Sequence, residues 1–309
     1  MSDLTAPLPA VEPEAGAATS GAGPRRPSRL RTYAALAPFF LYVGAFLMLP
    51  TLIVLVGSLQ DASGVPTVEN LRVAFTEQRF VDAFMRSIWL SLVTALAGAI
   101  IGGLLAWAVA TGNPDGALRR LVVAASGVLA QFGGVMLAFA FLATFGANGI
   151  ATIFVEETLG LDVFDRGNWL YGLTGLAVVY TYFQIPLMLI VFLPALDGLR
   201  REWWEASASL GGSSWAFWRN VGGPILAPAF LGALLLLFTN AFSAYATAAA
   251  LVSQGAPIIT LQIRAALTSE VILGQANVGK AMAVGMIVII SITMVMYALI
   301  QRRASRWIR

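Results

Sequence analysis

The chain has 309 residues, 58% of them hydrophobic and 11% charged, with a mean hydropathy of +0.79. A soluble domain carries about 25% charged residues, so a soluble fold of this size would lack the polar surface to stay dissolved. Cysteine and histidine are both absent, which removes disulfides, thiolate nucleophiles, the commonest metal ligands and the commonest general base. No catalytic residue, metal site or cofactor is expected on this chain. The net charge of +3 comes from 19 basic and 16 acidic residues, with Lys280 the sole lysine. So small an excess suits membrane topology better than nucleic-acid binding. The balance predicts an all-α polytopic membrane protein.

Residues 1–30 begin rich in Pro, Ala, Gly and Ser, without apolar periodicity, and read as a disordered cytoplasmic tail. Residues 31–309 form the transmembrane domain. A bilayer core needs about 20 apolar residues of helix, and six stretches qualify: Tyr33–Leu59, Ile88–Ala110, Leu121–Phe145, Leu170–Leu193, Ile225–Val252 and Ala281–Ile300. They lack the period-2 alternation of a membrane barrel. The first is too long and starts too late for a cleaved leader and reads as an uncleaved signal anchor.

The arginines orient the spans. Arg25, Arg26, Arg29 and Arg31 precede the first. Arg119 and Arg120 follow the second, Arg200, Arg201 and Arg219 follow the fourth, and Arg302, Arg303, Arg306 and Arg309 close the tail. These alternate segments hold 13 of the 19 basic residues, which places both termini in the cytoplasm. The third connection carries Glu156, Glu157, Asp162 and Asp165 against Arg166 alone, which suits the outer side.

Within the spans ionisable residues are avoided; Arg86 and Lys280 fall at predicted ends, so a proton relay has no usual machinery. Gly98 and Gly102 form a G-x-x-x-G step for close helix packing. Uncharged polar groups are Gln131, Tyr180, Thr181, Tyr182 and Gln184, then Thr239, Asn240, Ser243, Tyr245 and Thr247 in the fifth span. Interhelical hydrogen bonding explains any one of them. The fifth-span cluster of Thr239, Asn240, Ser243 and Tyr245 is the best candidate for a translocation path. Residues 274–281 nearly spell a phosphate-binding loop, but Ala281 stands where a hydroxyl is needed and no strand precedes it. The segment reads as the entry to the last span.

The connection 195–223 is the most informative part. Leu199, Trp203, Ala206 and Leu210 follow helical spacing, Gly211-Gly212 stops that helix, and Ser213 or Ser214 caps a second. The second would carry Trp215, Trp218 and Val221 before Gly222-Gly223-Pro224 ends it. Such an amphipathic elbow serves equally as interfacial helices in the headgroups or as a docking element for a cytoplasmic partner.

The residues themselves decide. Glu205-Ala206-Ser207, Gly211 four residues later, then Val221-Gly222-Gly223-Pro224 resemble the Glu-Ala-Ala motif of binding-protein-dependent ABC importer permeases. Ser207, Val221 and Gly223 depart from that pattern, while the glycine and proline spacing is kept. The resemblance implies a coupling helix in which Glu205, Ala206, Ser207, Gly211, Val221 and Pro224 meet a separate ATPase. It also implies a second permease subunit, identical or homologous, two ATPase subunits, an extracytoplasmic binding protein and a bacterial-type inner membrane. The stretch from Asn240 to Ala250 looks more like permeases for polyamines, phosphonates, iron or inorganic anions than like sugar permeases. A single-chain secondary transporter is the competing class, and the lack of Cys, His and buried acid pairs makes an intramembrane enzyme remote.

Overall fold

Apolar runs of this length can satisfy their backbone in lipid only by closing it within each segment, and the chain is helical accordingly. The computed structural model describes residues 29–161, 164, 169–252, 257–268 and 275–304. The tail up to residue 28, with Asp162, Asp165, Arg166, Arg306 and Arg309, lies outside the described residues. Among those described, the only β pairing is a lone bridge, Gln60–Pro66.

In chain order come α1 (Arg29–Val43), a π-turn (Gly44–Met48), α2 (Leu49–Ser58), α3 (Glu69–Thr76) and α4 (Gln78–Thr111). Then follow α5 (Ala117–Gln131), α6 (Gly134–Phe145), α7 (Ile150–Leu159), a 3₁₀ turn (Trp169–Tyr171), α8 (Leu173–Asp197), α9 (Arg201–Ser209) and α10 (Ser214–Phe217). A second π-turn (Trp218–Gly222) leads into α11 (Gly223–Ser243), followed by α12 (Ala246–Leu251), α13 (Ile259–Thr268) and α14 (Gln275–Ala304). Six stretches are long and apolar enough to cross a membrane: Leu36–Ser58, Gln78–Thr111, Gly134–Leu159, Leu173–Asp197, Ser214–Ser243 and Gln275–Arg302.

Residues 1–51 and 52–309 form two units. In the first, α1 carries Pro38 and gives way to the π-turn, and Thr51 donates to the Leu47 carbonyl at 2.8 Å. The second is built on α4 against α8. Here the small step predicted for close packing meets its partner: a Cβ on Gly102 would lie 2.5 Å from the Ile185 carbonyl oxygen and 2.6 Å from the Met188 Cβ, and one on Gly98 would overlap the Gln184 Cβ. Such contact leaves no gap for lipid and gains dispersion energy along the helices. Helix α11 packs on both and buries Leu226, Ala233 and Leu237 with α4 and α8. Helices α3, α13 and α14 gather around Phe80, Phe84 and Phe242.

Two expected spans are corrected. The third is not continuous: α5 ends at Gln131, Gly134 takes φ +68°, and α6 begins there. Composition marks 134–159 as the apolar stretch, yet α5 and α6 together run antiparallel to α8. Arg119 meets Asp197 at one end at 2.6 Å, and Phe141 packs edge-on against Tyr182 further along, 5.6 Å between centroids. The stretch expected as one span, Leu121–Phe145, is therefore two helices, α5 and α6, joined at this break. The fifth span likewise ends at Ser243, with extended backbone at Ala244 before α12 starts. Hydropathy averages over such breaks because it counts apolar residues and is blind to φ and ψ.

Arg86 and Lys280 lie inside α4 and α14, not at their ends. Helix α4 has 34 residues, about 51 Å of rise against a core of about 30 Å, so Arg86 still sits near the end of its span. Lys280 donates to the Asn277 amide oxygen at 2.8 Å, and the Asn277 amide nitrogen donates to the carbonyls of Gln60 and Asp61 at 2.9 and 3.0 Å. The described part of the near-match to a phosphate-binding loop, 275–281, is thus the start of α14, tied to the loop after α2.

Candidate functional site

The elbow is assembled almost entirely from local chemistry. Helix α9 ends in a Schellman motif: the Gly211 N–H donates to the Ala208 carbonyl and the Gly212 N–H to the Ser207 carbonyl, both at 2.9 Å. Gly211 takes φ +81°, and a Cβ there would meet nothing within 4 Å. The need for glycine is thus conformational within this chain: the left-handed backbone, not crowding, disfavours a side chain. Ser213 caps the next helix, its hydroxyl accepting from the Ala216 N–H at 3.3 Å.

That second helix does not stop at Gly222-Gly223-Pro224. The backbone widens into a π-turn at Trp218–Gly222 and continues as α11, so 214–243 is one helical stretch. A π-turn absorbs the missing Pro224 N–H because it shifts the hydrogen-bonding register at that point. The elbow is therefore rigidly continuous with the fifth span.

The apolar faces also differ from the helical-wheel expectation. Trp203 is half-buried, Ala206 is exposed and Leu210 is 89% exposed; Trp215 is 73% exposed, whereas Phe217 is buried. Phe217 closes the elbow by packing edge-on against Trp204, 4.8 Å between centroids, and against Trp218 at 5.5 Å. The sequence reading missed Phe217 and Trp204, since three aromatics within four residues leave the inward one undetermined. Glu205 pairs with Arg201 at 3.1 Å, both exposed. Ala206 is exposed beside it, Ser207 and Val221 are half-buried, and Pro224 is exposed at the start of α11. All six elbow candidates thus fall within one turn-and-helix unit.

At the base of the elbow, Asp197 closes α8 and pairs with Arg119 of α5 at 2.6 Å, with the arginine side chain 18% exposed. Periodicity gives no signal for a pair 78 residues apart.

The second set of candidates lies at the other end of α11. Thr239 is half-buried and donates to its own helix at Leu235; Asn240, Ser243 and Tyr245 are exposed. They sit where α11 breaks, and that break meets the break in the third span. The Tyr180 hydroxyl donates to the Ala244 carbonyl at 2.8 Å, and the Thr247 hydroxyl to the Gly134 carbonyl at 3.1 Å. The first satisfies an acceptor left free past the end of α11, and the second ties α12 to the first residue of α6. Gln184, fully buried, donates to the Leu237 carbonyl at 3.0 Å while its amide oxygen has no partner. Tyr180, Gln184 and Thr247 therefore act as interhelical ties, and the exposed face is left to Asn240, Ser243 and Tyr245. Arg264 of α13, also outside the sequence reading, stands over the Tyr245 ring at 5.9 Å.

Residues 163–306 match the family described as the binding-protein-dependent transport system inner membrane component. The matched stretch runs from before α8 into α14 and contains the elbow and the candidates at the far end of α11. Together with the six apolar helices, the match makes the chain a multi-pass inner membrane protein. Among relatives, 50% of the chain is 29% identical to a probable starch degradation products transport system permease protein, AmyD, of Thermoanaerobacterium thermosulfurigenes, over 59% of that protein. It is 26% identical over 64% of its length to the probable sulfate transport system permease protein cysT of Nephroselmis olivacea, covering 66% of it. It is 29% identical over 52% of its length to the thiamine transport system permease protein ThiP of Escherichia coli strain K12, covering 29% of it. The chain thus spans less than two thirds of each of these relatives. A chain of a bacterial ABC transporter that imports the acidic polysaccharide alginate shares the fold, with a TM-score of 0.66 at 18% identity over 90% of this chain and 96% of that one. The relatives' names include starch degradation products as well as sulfate, so these likenesses do not separate the substrate types.

Proposed function

We propose that the chain is a permease subunit of an ATP-driven solute importer, lining part of the translocation path and coupling through 195–223 to a separate ATPase. The observation that carries this reading is the elbow itself. Its turn, set by the positive φ of Gly211, leaves Leu210 and Trp215 extended from the chain, and it is continuous with the span that holds the path candidates. Pro224 and Thr239 are fifteen residues apart on α11, about 22 Å along one helix.

The arginine distribution supports cytoplasmic termini and a cytoplasmic elbow. Partners follow the family: a second permease subunit, identical or homologous, two ATPase subunits and an extracytoplasmic binding protein in a bacterial-type membrane. ATP would drive transport through the ATPase's differential affinity for the two conformations of the bundle. The solute class proposed from the Asn240–Ala250 stretch is polyamine, phosphonate or iron; the starch-product relative favours a sugar as the second reading.

The test is Gly211→Asp in the complete transporter reconstituted in proteoliposomes. ATP-driven uptake is expected to disappear while membrane insertion stays normal. Normal uptake in the variant sinks the coupling role, and uptake driven by an ion gradient without ATPase points to a secondary carrier.

A further inference from the structure

Helix α13 has ten residues, of which Ile259, Leu261 and Ala266 are buried. Ile259 and Ala266 pack in the cluster that contains Phe84, Phe242 and Met282, and Leu261 in the one that contains Tyr180 and Leu251. The Ile259 N–H donates to the buried Ser87 hydroxyl at 2.8 Å. The helix is therefore held at the level of the broken-span junction. Tyr180, which ties that junction, is seventeen residues from Asp197, about 25 Å along α8, so the junction lies in the part of the bundle far from the elbow.

Arg264 projects from the exposed side of this helix. In a chain whose spans avoid ionisable groups, a cation set among helices at this depth calls for a partner. No described carboxylate pairs with it, and α11, α12 and α13 contain no acidic residue. Among the described residues, the Tyr245 ring lies 5.9 Å from its guanidinium carbon. A ring face steadies a guanidinium without consuming its N–H donors. Asn240 and Ser243, one turn apart and exposed, adjoin the same break. The Ser243 proton is committed to the Thr239 carbonyl at 2.9 Å, so that hydroxyl offers lone pairs to a ligand, while the Asn240 amide supplies both donor and acceptor.

We propose that Arg264, seated over Tyr245, is the charged contact of an anion-binding site on the translocation path, and that the solute carries a carboxylate or an oxyanion such as sulfate or phosphonate. The proposal rests on the permease reading above and narrows its solute to the anionic class. A planar guanidinium with no described carboxylate beside it matches the paired oxygens of these groups. Asn240 and Ser243 would contact the uncharged remainder.

The complete transporter in proteoliposomes, given inorganic sulfate, an alginate trisaccharide, neutral maltotriose and cationic thiamine as separate labelled probes, tests it. ATP-driven uptake of an anionic probe is expected. Arg264→Gln should lower it by about ten- to a hundredfold, the loss of a hydrogen-bonded charge contact, with binding-protein-stimulated ATPase activity retained and Arg264→Lys intermediate. Uptake confined to maltotriose or thiamine, no ATP-driven uptake of either anion, or unchanged anion uptake in Arg264→Gln overturns the proposal. An equal loss for anionic and neutral probes also overturns it, because it places the arginine against lipid phosphates. Anion uptake that ignores ATP and Arg264 alike overturns the permease reading as well.

Discussion

The elbow at 195–223 and the junction at 131–134 and 244–247 are both interruptions of helix, held by opposite means. The elbow's turn is closed between residues five or fewer apart, Gly211 to Ala208, Gly212 to Ser207 and Ala216 to Ser213, with Arg119–Asp197 a long-range pair at its base. At the junction the bonds cross 64 and 113 residues, from Tyr180 to Ala244 and from Thr247 to Gly134. A turn closed by its neighbours can keep its shape while apolar residues such as Leu210 stand uncovered. A break inside an apolar bundle persists only where other helices take up its freed carbonyls. The difference gives the two ends of α11 different characters: a locally closed turn with apolar residues uncovered at one, and at the other a seam that depends on how the spans are arranged.

The sharpest way to break this comparison is Tyr180→Phe. It strands the carbonyl of half-buried Ala244 against a fully buried ring and should cost about 1–2 kcal/mol of stability, read by thermal unfolding in detergent. Hydrogen exchange should rise in α6 and α12 together; a rise limited to α8 would refute the shared seam. Gly211→Ala places a Cβ on a left-handed residue with open space around it, so the penalty is backbone strain alone, about 1 kcal/mol. Its exchange effect should stay within α9 and residues 210–213, and spread to α11 would show that the elbow is not locally closed. Smallest of all, Leu210→Ala should change thermal stability of the isolated chain by no more than about 0.5 kcal/mol. A larger loss would mean that Leu210 is covered by this chain after all.

What could be read in advance follows the same division. Helix number, the glycine stop at 211–212 and the serine cap depend on composition and on neighbours, and the sequence carries them. The run of glycines at 98 and 102 likewise announced a close approach, though not that α8 would supply Gln184 and Met188 to it. The end of the second elbow helix was misread, because Gly-Gly-Pro ordinarily stops a helix and a π-turn that carries it through depends on the packing of Trp218 and Phe217. Arg119–Asp197 and Arg264–Tyr245 were invisible, since no local pattern brings such residues together.

By itself, then, the sequence determined that this chain has six stretches apolar enough to cross a membrane, that its charge is held mostly outside them, and that residues 195–223 form a glycine-hinged elbow. Those are consequences of transfer energies and short-range geometry. Only the tertiary structure decided that the third and fifth spans are broken at one shared seam, that Tyr180 and Thr247 are spent on holding it, and that Asn240, Ser243, Tyr245 and Arg264 are left exposed. A break in lipid is stable or ruinous according to what lies opposite it, and what lies opposite is settled by packing between residues far apart in the chain.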